Sequence, residues 1–320
     1  MQPSEHLLIV IDEIQRCPDL LNEVHRLIDQ NPSLQFVMTG SSARKLRQAG
    51  TNLLAGRALT FHLHPLTHEE WEGYCSLEDV LAFGALPKVV LEKDKNGKIR
   101  FLKSYVETYL KEEIQQEALT RNIPAFARFL EMAGFENGNI LNYSNIAREV
   151  GVFSKTIKDY FQILEDTLVG FFLYPYTRSP RKKLVLHPKF FFFDTGIVTA
   201  LQRRLSSELL EGSPPYGRVF EHWVLLEIKR LLDYREREAG IYFFRTTDGA
   251  EVDCILEKEG KIWAIEIKSQ SSPGNESIRG LRSFLKDHKC NRSICVCQTP
   301  RGYESGGVEF LPWKDFFKEL

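Results

Sequence analysis

The chain has 320 residues, 43% hydrophobic and 27% charged, with a formal net charge of −1 at pH 7. That length exceeds one ordinary core and suits two or three domains, while the near-zero charge leaves any attraction to nucleic acid or membrane to local patches. No apolar run approaches the roughly 18 residues that span a bilayer, and the opening MQPSEHLLIVIDE lacks the basic start of a signal peptide. The cysteines at 17, 75, 254, 290, 295 and 297 are scattered, which implies reduced thiols and a cytoplasmic protein. Cys295 and Cys297 stand two apart without a second pair at zinc spacing, so no zinc site is expected.

Residues 1–66 alternate strand and helix. Leu7–Ile11 reads as a buried strand, Leu20–Asp29 as a helix and Gln35–Thr39 as a second strand; a short helix follows from Ser42 and a strand near Ala58–His64. Continuous apolar strands between helices predict a parallel sheet covered on both faces. Residues 67–138 turn helical, opening on the capping box Thr67-x-x-Glu70 and including the long amphipathic FLKSYVETYLKEEI.

Residues 139–212 begin with two short helices, Ser144–Val150 and Ser154–Leu164, joined at Gly151. Ile157, Tyr160, Phe161 and Leu164 fall on one helical face toward a core, leaving Lys155, Thr156, Lys158 and Asp159 outside. Two β segments, Leu168–Tyr174 and Lys183–Leu186, complete a winged helix-turn-helix pattern. Its tip is basic: Arg178, Arg181, Lys182 and Lys183. The run Phe190–Phe193 leading into Asp194 reads as a core strand and helix cap, and Ser206–Tyr216 as a linker. Residues 213–320 read as a helix (Gly217–Leu232), three strands (Ile241–Arg245, Glu251–Glu257, Lys261–Lys268), a helix (Ser277–Asp287) and a strand (Ser293–Gln298).

Two constellations carry chemistry. LLIVIDEIQR ends an apolar strand on Asp12 and Glu13, the form of a Walker B motif, where the aspartate holds Mg²⁺ through water and the glutamate polarises the attacking water. FVMTGSS supplies a polar sensor after the next strand, with Ser41 the candidate and Thr39 and Ser42 beside it. Arg57 is either an arginine finger or a surface residue. The phosphate-cradling G-x-x-x-x-G-K-[ST] is absent: Gly97-Lys98 and Gly260-Lys261 both lack the earlier glycine.

In EVDCILEKEGKIWAIEIKS, Glu266 and Lys268 are two apart on a strand and share a face beside Asp253. Such carboxylates suit a hard Mg²⁺, and such a lysine can orient or activate a water. Glu221 shares a helical stripe with Leu225, Ile228 and Leu232, so it aims at the sheet, where a metal or Lys268 is its expected partner. The plainer alternative is a solvated strand face with an incidental salt bridge.

Taken in order, LLIVIDEIQR, FVMTGSSARKL, LLAGRALTFHLHPL, FGALPKVVL, YLKEEI, the helix pair of Tyr143–Glu165, FFFFDTGIV, GRVFEHWVLLEI, EVDCIL and IEIKS cover nearly the whole chain. In them the chain resembles the prokaryotic AAA-type ATPases that carry a winged helix and a restriction-endonuclease-like, PD-(D/E)xK domain at the C-terminus. The resemblance implies a multidomain α/β fold: a partial P-loop parallel sheet (1–66), a helical lid (67–138), a winged helix-turn-helix (139–212) and a nuclease-like α/β domain (213–320).

It departs at the front, where the family's first strand, Walker A loop and following helix are missing. The expectations are therefore no ATP turnover on this chain alone, and a first strand at an exposed sheet edge. ATP and Mg²⁺ are cofactors of the full-length family, and Mg²⁺ also of the nuclease-like site. DNA is the expected partner, read by Lys155, Thr156 and Lys158 and gripped by the basic tip in a salt-sensitive way. The alternatives are an Mg²⁺-dependent DNase through Asp253, Glu266, Lys268 and Glu221, or a non-enzymatic DNA- or protein-binding regulatory module. Relatives that form rings add an oligomer to the expectations.

Overall fold

The computed structural model describes residues 7–17, 19–40, 58–110, 122–177 and 187–320. Strands β1 (Leu7–Ile11) and β2 (Leu34–Met38) pair in parallel, Leu7 opposite Leu34 and Ile11 opposite Met38, with α1 (Leu20–Gln30) crossing between them. Apolar strands separated by a helix form such a crossover because parallel neighbours cannot be joined by a tight turn. Among the described residues the expected cover on both faces is not found. Leu8 and Val10 are 54% and 63% exposed, and the local core is Ile14 and Leu21 with Ile11, Ile28 and Met38 against them. One helix can bury only one face of a two-stranded sheet. The strand expected near Ala58–His64 is also corrected. Residues 58–64 belong to no sheet, and Leu59, Phe61 and Leu63 are exposed, so their period-two pattern finds no ladder to join.

Helices α2 (His68–Trp71), α3 (Leu77–Phe83), α4 (Pro87–Leu91), α5 (Lys95–Ser104) with a π-helical extension over Tyr105–Leu110, and α6 (Ile123–Phe135) fill the helical region. Its capping box is formed: the Thr67 amide donates to Glu70 Oε2 at 2.8 Å. Helices α7 (Tyr143–Val150) and α8 (Ser154–Asp166) meet at Gly151, whose φ of +78° is the left-handed stop that glycine adopts without strain. The four anticipated core residues of α8 are buried against Phe126 and Phe129 of α6.

Next come β3 (Gly170–Pro175) and β4 (Lys189–Phe192), paired antiparallel with Gly170 opposite Phe192. The strand expected at Lys183–Leu186 lies outside the described residues; β3 pairs instead with the phenylalanine run. After α9 (Thr195–Leu201) and α10 (Pro214–Tyr234) follow β5 (Ala239–Arg245), β6 (Glu251–Lys258), β7 (Lys261–Ile267), α11 (Arg279–Leu285), β8 (Arg292–Cys297), β9 (Tyr303–Ser305), β10 (Val308–Pro312) and α12 (Trp313–Glu319).

The strands form one mixed eight-stranded sheet in the order β4-β3-β5-β6-β7-β8-β10-β9. Tyr174 and Pro175 at the end of β3 pair with Tyr242 and Phe243 of β5, so the β3–β4 hairpin continues the C-terminal sheet. On one face of that sheet Trp223 of α10 packs with Trp71 and Leu81 of the helical region and with Phe316 and Phe317 of α12. On the other, Leu281 and Phe284 of α11 cover Phe244, Val252 and Cys295. Full burial of each such side chain stabilises by about 1.5–3 kcal/mol, so helices far back in the sequence help hold the C-terminal sheet.

Candidate functional site

Antiparallel pairing of β6 and β7, with Cys254 opposite Ile265, brings Asp253 beside Glu266 and Lys268. Lys268 Nζ stands 3.3 Å from Asp253 Oδ2 and 2.6 Å from Glu266 Oε1. The Ile267 amide donates to Asp253 Oδ2 at 2.8 Å, which fixes the carboxylate to the next strand. Both carboxylates are buried, and Glu266 Oε2 has no hydrogen-bond partner. Burial, and then the neighbouring Asp253 charge, push the Glu266 carboxyl well above the usual range, although Lys268 opposes them. Lys268 is held above its ordinary value: burial lowers it, but the attraction of Asp253 and Glu266 outweighs that. Two carboxylates thus share one ammonium.

Glu221 aims at the sheet as its stripe requires, but its ion-pair partner is Lys189 of β4, at 3.4 Å. Lys189 is buried, with Nζ 2.7 Å from Glu251 Oε1, and Glu251 Oε2 accepts from Arg245 at 2.8 Å. Burial raises the Glu221 pKa to about 7, with Lys189 pulling it down and Asp253 pushing it up. Lys189 is raised: its burial acts against the charge, and Glu221 and Glu251 more than restore it.

Sequence reasoning missed Lys189, Glu251 and Arg245. Glu251 was within reach, because it sits two residues before Asp253 on the same strand. A single lysine ahead of four phenylalanines carries no linear sign of its partners. These groups line a cavity of about 470 Å³ between α6, α9, α10 and the sheet. On its wall, His222 Nε2–H donates to the Phe192 carbonyl at 2.7 Å, and Nδ1 accepts from Asn137 at 3.3 Å. Burial lowers the His222 pKa to about 4, so the ring is neutral.

At the carboxyl ends of β1 and β2, the Thr39 hydroxyl donates to Asp12 and accepts from the Glu13 amide at 3.2 Å. Glu13 turns the chain with a φ of +54°. Thr39, named beside Ser41, is the polar group that meets Asp12. Ser41 and Arg57 lie outside the described residues, as do Arg178, Arg181, Lys182 and Lys183. On α8, Lys155 and Lys158 are exposed and Thr156 is half-buried. Lys158 Nζ lies 5.3 Å over the Tyr143 ring.

Among the described residues no group of three or more His, Cys, Asp or Glu side chains is arranged to hold a metal. Mg²⁺ commonly takes one or two carboxylates and completes its shell with water and substrate oxygens. Asp253 and Glu266 fit that smaller requirement, and the unpartnered Glu266 Oε2 is an oxygen that a cation would satisfy.

Residues 1–72 match a family model described as an AAA domain. Residues 75–208 and 216–316 match two models described as domains of unknown function, DUF8612 and DUF4143. The chain is 28% identical over 291 residues to uncharacterized protein Rv2008c of Mycobacterium tuberculosis, covering 90% of this chain and 64% of that one. It thus spans about two thirds of its mycobacterial relative. Uncharacterized protein MJ1637 of Methanocaldococcus jannaschii is 23% identical over 352 aligned positions, covering 98% of this chain and 71% of its own. A crystal structure of protein VC1899 from Vibrio cholerae is 11% identical and covers 98% of this chain and 85% of its own, but at a TM-score of 0.21 it carries no argument. The likeness to an AAA domain is confined to residues 1–72, and the two models matched beyond it are described only as domains of unknown function.

Proposed function

We propose that the chain acts on DNA through its C-terminal sheet, as a divalent-cation-dependent phosphodiesterase of the PD-(D/E)xK kind, and that by itself it does not turn over ATP. One observation carries the reading: Asp253, Glu266 and Lys268 converge with a buried carboxylate oxygen left unpartnered. The antiparallel β5–β6–β7 set followed by α11 and a parallel β8 supports it, as the arrangement that lays the three side chains on neighbouring strands. A cation held by Asp253 and Glu266 would supply Lewis-acid polarisation of a phosphodiester oxygen. Lys268 orients a water or steadies phosphate charge, while Asp253 is kept in place by the Ile267 amide. Glu221, with a pKa near neutrality, can hold or release a proton at its carboxyl oxygen.

A second reading rests on the closeness of Lys268 to both carboxylates. If that ammonium is a permanent structural counter-ion, the domain binds DNA without cutting it, and Lys155, Thr156 and Lys158 with the basic residues 178–183 carry the affinity. The two part in a cleavage assay with Mn²⁺ or Mg²⁺ on supercoiled and single-stranded DNA. The first reading expects cutting that falls to background in Asp253→Asn. Equal cutting by that variant overturns the site, and no cutting by the parent leaves the binding reading. The ATP part is checked by phosphate release from the purified chain, with and without DNA; turnover above background would sink it.

A further inference from the structure

We propose that the cavity beside Glu221 is a nucleotide pocket, seating one nucleoside monophosphate unit with its phosphate on Arg204 and Arg218. It deepens the preceding reading by naming a substrate feature, and it rests on that reading only for the role of a bound strand end.

At about 470 Å³ the cavity falls in the size range of small-molecule sites, roughly 300–1,000 Å³. Its inner charges are matched, since Lys189 and Arg245 are taken up by Glu221 and Glu251. His222 on the same wall is neutral. Arg204 and Arg218 also line the cavity, and among the described residues neither guanidinium has an ion-pair or hydrogen-bond partner. Against them on the lining stands Glu208, which is exposed. Arg204 is half-buried and Arg218 exposed on that lining, and guanidiniums without partners among the described residues are suited to a phosphate, which accepts paired N–H bonds from such a fork.

Both arginines sit on fixed backbone. Arg204 follows α9 with its amide bonded to the Thr199 carbonyl at 2.9 Å, and Arg218 lies in the first turns of α10. The lining also offers groups for a base. Phe135 at the end of α6 is half exposed and gives an aromatic face for stacking. Gln202 donates its amide N–H to the Gly134 carbonyl at 2.8 Å, leaving its side-chain oxygen as an acceptor for a base edge. Glu221 joins the pocket to the acidic cluster: it lines the cavity and feels the charges of Asp253 and Lys268. A strand whose terminal nucleotide fills the pocket would therefore run toward Asp253 and Glu266.

The test is calorimetric titration of the full chain with the four deoxynucleoside 5′-monophosphates, their nucleosides, inorganic phosphate, and an oligothymidylate with a 5′-phosphate or a 5′-hydroxyl end. At least one monophosphate is expected to bind about tenfold or more tighter than its nucleoside, as charge-assisted bonds to phosphate require. Arg204→Gln with Arg218→Gln is expected to remove that difference without moving the thermal midpoint. Tighter binding of the phosphorylated oligonucleotide identifies a strand end as the source, and equal binding of the two a free nucleotide. No binding by any phosphorylated probe, or binding that survives the double substitution, overturns the pocket. The two readings fail separately: nucleotide binding by a parent that does not cut DNA sinks only the phosphodiesterase, and cutting by a parent that binds no phosphorylated probe sinks only the pocket.

Discussion

At the scale of single residues, burial decides which charges matter. Glu227 and Arg230 on α10 are 0% and 2% exposed. Glu227 accepts from the His68 amide at 2.9 Å and pairs with Arg230 at 3.1 Å, and Arg230 donates to the carbonyls of Leu66 and Phe193 at 3.2 and 3.0 Å. Glu227→Ala strands a buried guanidinium and is expected to cost about 3–5 kcal/mol in a urea melt; a loss under about 1 kcal/mol would contradict the pairing. Glu221 behaves differently. Its folded pKa, about 7, lies above the ordinary 4.5, so between those values the folded chain keeps a proton that the unfolded chain has lost. Stability therefore falls as pH rises from about 4.5 to 7, and the penalty is complete above 7. Glu221→Gln is expected to flatten that slope and to exceed the parent at pH 8, measured as urea midpoint against pH. An unchanged slope would show that the carboxyl is not so raised.

At the scale of elements, close backbone approach fixes the site. A β-carbon added at Gly280 of α11 would overlap the Glu251 carbonyl, and one at Gly196 of α9 the Phe83 carbonyl. Neither obstacle is the end of a flexible side chain, so each helix must move. Gly280→Ala is expected to destabilise by about 1–3 kcal/mol or more and to displace Glu251, so that nucleotide affinity drops along with stability. Unchanged melting would mean that α11 slides freely. Among the described residues the β1–β2 pair has no such anchoring. Two strands with an exposed face are marginal, and hydrogen exchange is expected to be faster at 7–11 and 34–38 than in β6–β8. Equal protection would imply cover that the described residues do not supply.

For the whole molecule, the core that joins Trp71, Leu81, Trp223 and Phe316 ties residues 66–91 to the C-terminal sheet. The core around Ile14 and Leu21 is a separate cluster. Deleting residues 1–57 is therefore expected to leave the main thermal transition within a few degrees of the parent, whereas 213–320 alone is expected to lose cooperative unfolding, because the apolar face of α10 is left uncovered. A sharp transition in the short fragment would overturn this account.

Periodicity and spacing were enough to specify β1, α1, the helix pair α7–α8 and the order α10-β5-β6-β7-α11-β8, since each is set by local apolar pattern and turn residues. They also put Glu266 and Lys268 on one face, because two-residue spacing on a strand does so, while their meeting with Asp253 follows from the pairing of β6 with β7. They overstated the first sheet and the strand at 58–64, where the alternation is real but no neighbour among the described residues pairs with it. Lys189 beside Glu221 and Glu251, Thr39 beside Asp12, the extension of the sheet through β3 and the cavity with two arginines that have no partner among the described residues were decided by tertiary structure alone. Each depends on residues from distant segments meeting, and neither a pattern of 3.6 nor one of 2 along the chain encodes which segments meet.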